Sequence, residues 1–309
     1  MEFFRVKKDI NFMKYSKISA VISITTFVMA VFFLVTKNLN YGVDFTGGTI
    51  IEVNYKQQAN LDQIREHLTA LNFTGFQVQN FGSNKDVLIK LPLVKDKSIS
   101  ELSEFVNHEL SNLGNEFTIN RVESVGGQVG EELFENGAMA ILFVCLGIIL
   151  YLSLRFEWRF ALSAVIANMH DVIIILGFFA FFQWEFNLTV LAAILAVLGY
   201  SVNESVVVFD RVRENFKKMR KASVSEVINN AITRTMSRTI MTHLSTQTVV
   251  ISMLVFGGET LHNFALALTI GILFGIYSSI MVGCPIAIWL GTNRTNLVTS
   301  QANSEKTDI

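Results

Sequence analysis

Six stretches of the chain are nearly free of charge, and each runs for about the 20 residues that a helix needs to cross a bilayer. They lie at Ile18–Thr36, Asn136–Leu154, Phe160–Trp184, Phe186–Phe209, Thr239–Gly257 and His262–Leu290. They predict a polytopic α-helical membrane protein with six transmembrane helices. The pattern breaks once, between the first and second stretches. There Thr49–Tyr55 is β-rich, Leu61–Leu71 has helical spacing, Phe76–Phe81 and Val87–Leu91 read as strands, Ile99–Leu110 is helical and Glu116–Val125 is strand-like again. The order βαββαβ predicts one ferredoxin-like α+β domain, two helices on an antiparallel sheet. The expected division is an N-terminal segment 1–17, a first helix 18–36, the ferredoxin-like domain 37–135, five further helices over 136–291 and a tail 292–309.

Composition agrees: of 309 residues 51% are hydrophobic, 26 are Phe and two are Pro. Such values speak against a water-soluble enzyme, and no catalytic set is read. Between Asp44 and Glu123 eleven acidic residues face seven basic ones. An acidic domain of this kind is not expected to bind nucleic acid. Cys145 and Cys284 fall inside apolar stretches, so they read as packing residues and no disulfide is expected to brace the domain. The first stretch is too long for a signal peptide and lacks a small-residue cleavage site, so it reads as a retained anchor.

The basic residues set an orientation. Arg5, Lys7, Lys8, Lys14 and Lys17 precede the first span, Arg155 and Arg159 separate the second from the third, and Arg211, Arg213, Lys217, Lys218, Arg220, Lys221 and Arg234 separate the fourth from the fifth. All three groups fall on one side. Basic loops resist translocation, so that side is expected to be cytoplasmic, with both termini inside and 37–135 outside. The exit that begins at Asp210, Arg211 and Arg213 is expected to meet anionic lipid, with Asp210 bracing the turn against its arginines.

Charges inside the spans narrow the function. Glu204 interrupts one apolar run and Arg238 opens another. A charge near the bilayer centre costs from about 2.5 kcal/mol to about 10 or more unless it is paired, protonated or wet, so such residues are functional candidates, against the alternative of a structural ion pair. Tyr200 and Ser201 lie four and three residues before Glu204 on its helical face, and Thr242, Ser245 and Thr246 lie on or near the face of Arg238. Their hydroxyls are expected either to hold a file of water or to bond back to their own helices. Asp171, in the third span, is the next candidate. Its neighbour His170 points about 100 degrees away, which disfavours a shared metal. Gly271 and Gly275 offer a small face for close helix contact in the sixth span.

Gly42, Gly47 and Gly48 have the spacing of a phosphate loop, but Gly48 stands where such a loop needs lysine. No nucleotide cofactor is expected. The glycines more plausibly let the backbone turn between the first helix and the first strand, with Asp44 between them.

The run Tyr41-Gly-Val-Asp-Phe-Thr-Gly-Gly-Thr-Ile-Ile-Glu-Val53 resembles the signature that follows the first span in the SecD/SecF family of the bacterial protein translocase. Val125–Leu133, His170-Asp171-Val172, Leu198–Asn215 and Arg234–Thr239 resemble further family motifs in the same order, so the resemblance spans roughly residues 10–290. In the fourth-span motif Asn203 precedes the acid, which in the family is usually aspartate and here is Glu204. His243 replaces a small polar residue of the family pattern and is expected to be incidental. The resemblance implies a fold like that of the resistance-nodulation-division transporters and membership of the Sec pathway, with SecD as partner. It also implies work beside the SecYEG translocon, YajC and YidC on exported preprotein, in the bacterial inner (cytoplasmic) membrane. It implies a proton as the coupling ion, with sodium in some relatives. In that reading the guanidinium of Arg238, moving toward and away from Glu204, drives proton release and uptake. A small-molecule or lipid exporter half and a passive scaffold are the alternative readings.

Overall fold

The computed structural model describes residues 8–70, 75–93, 99–111 and 115–292. Arg5, Lys7, the end of the predicted helix at Leu71 and the tail beyond Thr292 lie outside them. Six helices long and apolar enough to cross a membrane are present among the described residues. In chain order the elements are α1 (Ser16–Lys37), β1 (Asn40–Tyr41), α2 (Val43–Thr46), β2 (Gly48–Tyr55), α3 (Leu61–Ala70), β3 (Gln77–Phe81), β4 (Ser83–Leu91), α4 (Ile99–Ser111) and β5 (Phe117–Val125). There follow α5 (Gly127–Arg155), α6 (Trp158–Phe182), β6 (Glu185–Phe186), α7 (Leu188–Lys218), α8 (Val224–Phe256), α9 (Gly258–Ser278), a π turn (Ser279–Gly283) and α10 (Cys284–Trp289).

The small domain forms a four-stranded antiparallel sheet in the order β3-β4-β2-β5. Alternation decides its layers, because successive side chains in a strand point to opposite faces. Ile51, Val53 and Tyr55 of β2 and Val87, Ile89 and Leu91 of β4 pack with Ile64, Leu68, Val106 and Leu110 of α3 and α4. The two helices therefore cover one face, as a ferredoxin-like βαββαβ unit requires. Burial in this core pushes the Tyr55 phenol up to about 12.

The opposite face is fastened to the membrane helices by contacts no periodicity foretold. Lys90 of β4 is buried and pairs with Glu185 in the α6–α7 connection. β1 pairs in parallel with β6, Asn40 against Glu185 and Tyr41 against Phe186. In the glycine run, Gly42 precedes the short helix α2, and Asp44 Oδ2 accepts from the Leu188 backbone N–H at 2.9 Å. A signature carboxylate thus caps the first turn of α7, where the helix dipole favours negative charge. Gly48 has φ of +140°, and a Cβ there would lie 2.5 Å from the Leu91 carbonyl oxygen. Only glycine fits at that point, which gives the predicted turn its physical reason.

Two predicted spans extend well past their apolar cores. α7 continues to Lys218 and α8 begins at Val224, so the charged exit is helical and projects beyond the apolar run rather than forming a loop. Asp210 pairs with Arg155 of α5 at 2.8 Å, and Arg213 donates to the Arg155 carbonyl oxygen at 3.2 Å. Ile10 N–H donates to Thr233 Oγ1 and Met13 N–H to Asn229 Oδ1, each at 3.0 Å. The segment before α1 therefore lies on the same side as the α7–α8 connection, opposite the sheet domain.

The sixth span is interrupted for identifiable reasons. Pro285 lacks the N–H that would reach the Met281 carbonyl, and Ser19 Oγ of α1 donates to that carbonyl oxygen at 3.1 Å. The π turn lies just before it. Gly271 and Gly275 do form the small face. A Cβ at Gly271 would sit 2.3 Å from Val197 Cγ2, whereas at Gly275 the nearest atom, Ser201 Oγ, is 3.5 Å away. Gly271→Leu is therefore expected to force α9 from α7 and to destabilise by about 1–3 kcal/mol, and Gly275→Ala to be tolerated. Thermal unfolding of the full chain in detergent, compared for the two variants, checks this.

Candidate functional site

The centre of the helix bundle holds two buried carboxyl groups on different helices. Asp171 of α6 has no exposed surface, and Glu204 of α7 is 6% exposed. Each is held by partners from neighbouring helices, as the cost of burying an unsatisfied polar group demands.

Asp171 Oδ2 accepts from Ser278 Oγ of α9 at 2.7 Å and from Ser201 Oγ of α7 at 2.9 Å. His170 Nδ1 lies 3.4 Å from Asp171 Oδ1, while the His170 ring stacks against Phe27 of α1 at 6.4 Å between centroids. Three helices therefore converge on one carboxyl. Ser205 of α7 meets Ser279 at 3.2 Å, one turn further along α7 from Ser201. The π turn begins at Ser279, and Ser278 and Ser279 reach α6 and α7 respectively. Such single π turns recur at functional sites.

Glu204 has partners from α8. Thr239 Oγ1 donates to Glu204 Oε1 at 2.6 Å, and His243 Nε2 lies 3.3 Å from Glu204 Oε2. The Tyr200 ring meets the His243 ring edge to face at 4.9 Å, and Tyr200 OH donates to Thr246 Oγ1 at 3.4 Å. Along α8 the buried residues Thr235, Thr239 and His243 recur every fourth position, which puts them on one stripe facing α7.

That stripe corrects two expectations. His243 does not stand apart from Glu204: its Nε2 lies 3.3 Å from Glu204 Oε2. Arg238 does not meet Glu204: it is exposed, because neighbouring helical residues point about 100 degrees apart and Thr239 takes the inward position. Thr242 is also exposed and donates to the carbonyl oxygens of Arg238 and Thr239 at 3.0 Å each, and Asn203 is exposed. Ser245 and Thr246 bond back to the Thr242 carbonyl in the same way. Of the residues singled out by sequence, the fold brings Asp171 and Ser201 together, sets Tyr200 beside His243, and leaves Arg238, Asn203 and Thr242 on an outer face. Thr239 and Ser278 are not among the residues the sequence singles out, and His243 is weighed there only as incidental. The fourfold spacing of polar residues from Thr235 to His243 was the legible signal for two of them.

Gly42, Asp44, Gly47 and Gly48 sit at the joint between sheet domain and membrane helices, away from these carboxyls. Asp210, Arg211 and Arg213 lie beyond the bundle, where Arg211 pairs with Glu214.

The chain resembles known proteins over nearly its whole length. The family profile described as protein export membrane protein SecD/SecF, C-terminal, matches residues 105–293, and the SecD/SecF GG motif matches residues 32–59. A protein translocase subunit SecF of Vibrio alginolyticus is 45% identical over 302 residues, covering 97% of this chain and 96% of that protein. One of Pseudomonas aeruginosa is 42% identical over 301 residues, covering 97% of each. Among solved structures, the translocon-associated membrane protein SecDF of Thermus thermophilus superposes with a TM-score of 0.84 at 33% identity over 94% of this chain. SecDF in a super-membrane-facing form gives a TM-score of 0.69 at 32% identity over 98% of it. The chain spans 40% of the first of those SecDF chains and 41% of the second.

Proposed function

The chain belongs to the SecF family of protein translocase subunits, and from that premise we propose that it is an auxiliary subunit of the Sec protein-export machinery. It works with SecD to use the proton motive force in drawing preprotein through SecYEG and releasing it on the far side of the inner membrane. YajC and YidC are further neighbours in the same membrane. Both termini lie in the cytoplasm and the sheet domain in the periplasm. Asp171 and Glu204 carry the coupling proton, through Ser201 and Thr239.

The observation that carries the reading is the outer face of α8. Arg238, Thr242, Ser245, Thr248 and Ser252 are exposed along it, with Asn203 of α7 nearby. Lipid is a poor solvent for an arginine at that depth, so a second set of helices must cover the stripe. This chain spans 40% of the SecDF chain it superposes on, and the SecD part of such an assembly supplies the cover. Arg238 then acts as a fixed charge at the interface between halves rather than within this one. The bundle packs its apolar core around α6, α7 and α9 and leaves α1, α5 and α8 largely open.

A cysteine at Thr242 in the full chain, oxidised in native membranes, is expected to cross-link to SecD carrying cysteines along its facing helix, whereas one at Leu154, exposed on α5, is not. Cross-linking from Leu154 without any from Thr242 excludes this arrangement.

A further inference from the structure

We infer that His243 is the residue that delivers protons to Glu204 and that excludes sodium from the site, an inference that rests on the ion-driven reading above. Two observations carry it. His243 Nε2 faces Glu204 Oε2 at 3.3 Å, while Thr239 occupies the other carboxylate oxygen at 2.6 Å. The His243 side chain is 4% exposed, and its Nδ1 is buried with no hydrogen-bond partner among the described residues.

A sodium ion is hard and needs a shell of several oxygens. Around Glu204 one of the two nearest groups is an imidazole nitrogen, which suits protons far better than hard cations. With hydrogen on Nε2, the ring donates to the carboxylate and presents a bare Nδ1 lone pair to the interior. A proton taken up at Nδ1 makes an imidazolium. The Nε2–H bond then breaks as its proton passes to Glu204 Oε2, leaving a neutral ring protonated on Nδ1 and a neutral carboxyl. Charge balances at each step. Exchange of protons with water resets the ring once the carboxyl has released its own proton to the other side.

Geometry supports the delivery. Tyr200 holds the ring edge to face, and α8 places Thr246 one turn nearer the sheet-domain side, where Tyr200 OH reaches it. The hydroxyls of Tyr200 and Thr246 thus flank the imidazole on that side. Arg238, one residue from Thr239, faces outward and does not compete for the carboxylate.

The test uses inverted membrane vesicles carrying the full chain in its assembled complex, and reads the gradient-dependent part of preprotein translocation. His243→Gln keeps an N–H for Glu204 but has no second titrating nitrogen. It is expected to reduce that part at least about a hundredfold, the lower end of what a positioned proton donor contributes. Replacing all sodium by potassium is expected to leave the unaltered chain within about twofold, which is about 0.4 kcal/mol. Normal gradient dependence in His243→Gln, or a sodium requirement in the unaltered chain, overturns the inference. The sodium measurement needs no mutant and decides the point even where His243→Gln fails to assemble. Glu204→Gln in the same vesicles separates the two readings: if it loses the gradient response and His243→Gln keeps it, the delivery role falls and the proton-driven function stands.

Discussion

Glu204→Gln is expected to abolish the gradient-dependent part of preprotein translocation while leaving the assembled complex intact. The two side chains are nearly isosteric. Thr239 Oγ1 can donate to an amide oxygen as it does to the carboxylate oxygen at 2.6 Å, so the packing between α7 and α8 survives. What is lost is the ability to bind and release a proton. Each proton that falls through the field yields about 2.3 kcal/mol per 100 mV, and an amide cannot harvest any of it. In inverted vesicles the ratio of translocation with and without the gradient should fall to about one, the complete loss of the gradient-dependent part. If the ratio is unchanged, Glu204 serves as a structural contact between α7 and α8, and the passive-scaffold reading gains.

Asp171→Asn is expected to have the next largest effect, a loss of at least about a hundredfold in the gradient-dependent part. Asparagine keeps an acceptor for Ser201 and Ser278, which hold the native carboxylate at 2.9 and 2.7 Å. Those hydroxyls also have recourse to their own helices, as Ser278 already shows by reaching the Gly275 carbonyl oxygen at 3.3 Å. A purely structural Asp171 would therefore be replaced by Asn at little functional cost. Asp171→Ala serves as the contrast, since it removes the acceptor altogether and should destabilise by about 1–3 kcal/mol. Retained coupling in Asp171→Asn with lost stability in Asp171→Ala assigns the residue to architecture. Lost coupling in both assigns it to the proton path.

The two carboxyls also explain why the bundle is polar where it is. Ser201 and Glu204 are three residues apart on α7, and each faces a different neighbour, α6 and α9 for one, α8 for the other. A helix can present two such groups at nearly one level of a membrane with all its backbone groups satisfied. Movement of α8 against α7 would change the partners of Glu204 without disturbing those of Asp171. The helical extensions of α7 and α8 past their apolar runs pack Val212, Phe216, Val227 and Ile228 into one core with Leu152 and Phe156, and Asp210 ties α7 to Arg155 of α5.

Much of this protein was legible along the chain because its solvent imposes one-dimensional rules. A span must be apolar for about 20 residues, so six spans could be counted. The alternation of strands and the spacing of helices gave the βαββαβ order and the start of nearly every element in the sheet domain. Even Glu204 and Asp171 could be nominated, since a carboxylate in an apolar run is expensive wherever the helix points. The partners of those carboxylates were a different matter. Whether Arg238 or Thr239 faces Glu204 depends on a rotation of about 100 degrees, and only the packing of α7 on α8 fixes it. His243 entered the site for the same reason, as did Ser278, whose reach to Asp171 depends on how the sixth span packs against α6. The clamp of Lys90 on Glu185 joins positions far apart in sequence through a sheet face that alternation marks as outward. Span number, sheet order and the presence of costly charges follow from local solvation and periodicity, which sequence encodes directly. The pairing of those charges follows from helix rotation and the meeting of distant surfaces, which only the tertiary structure decides.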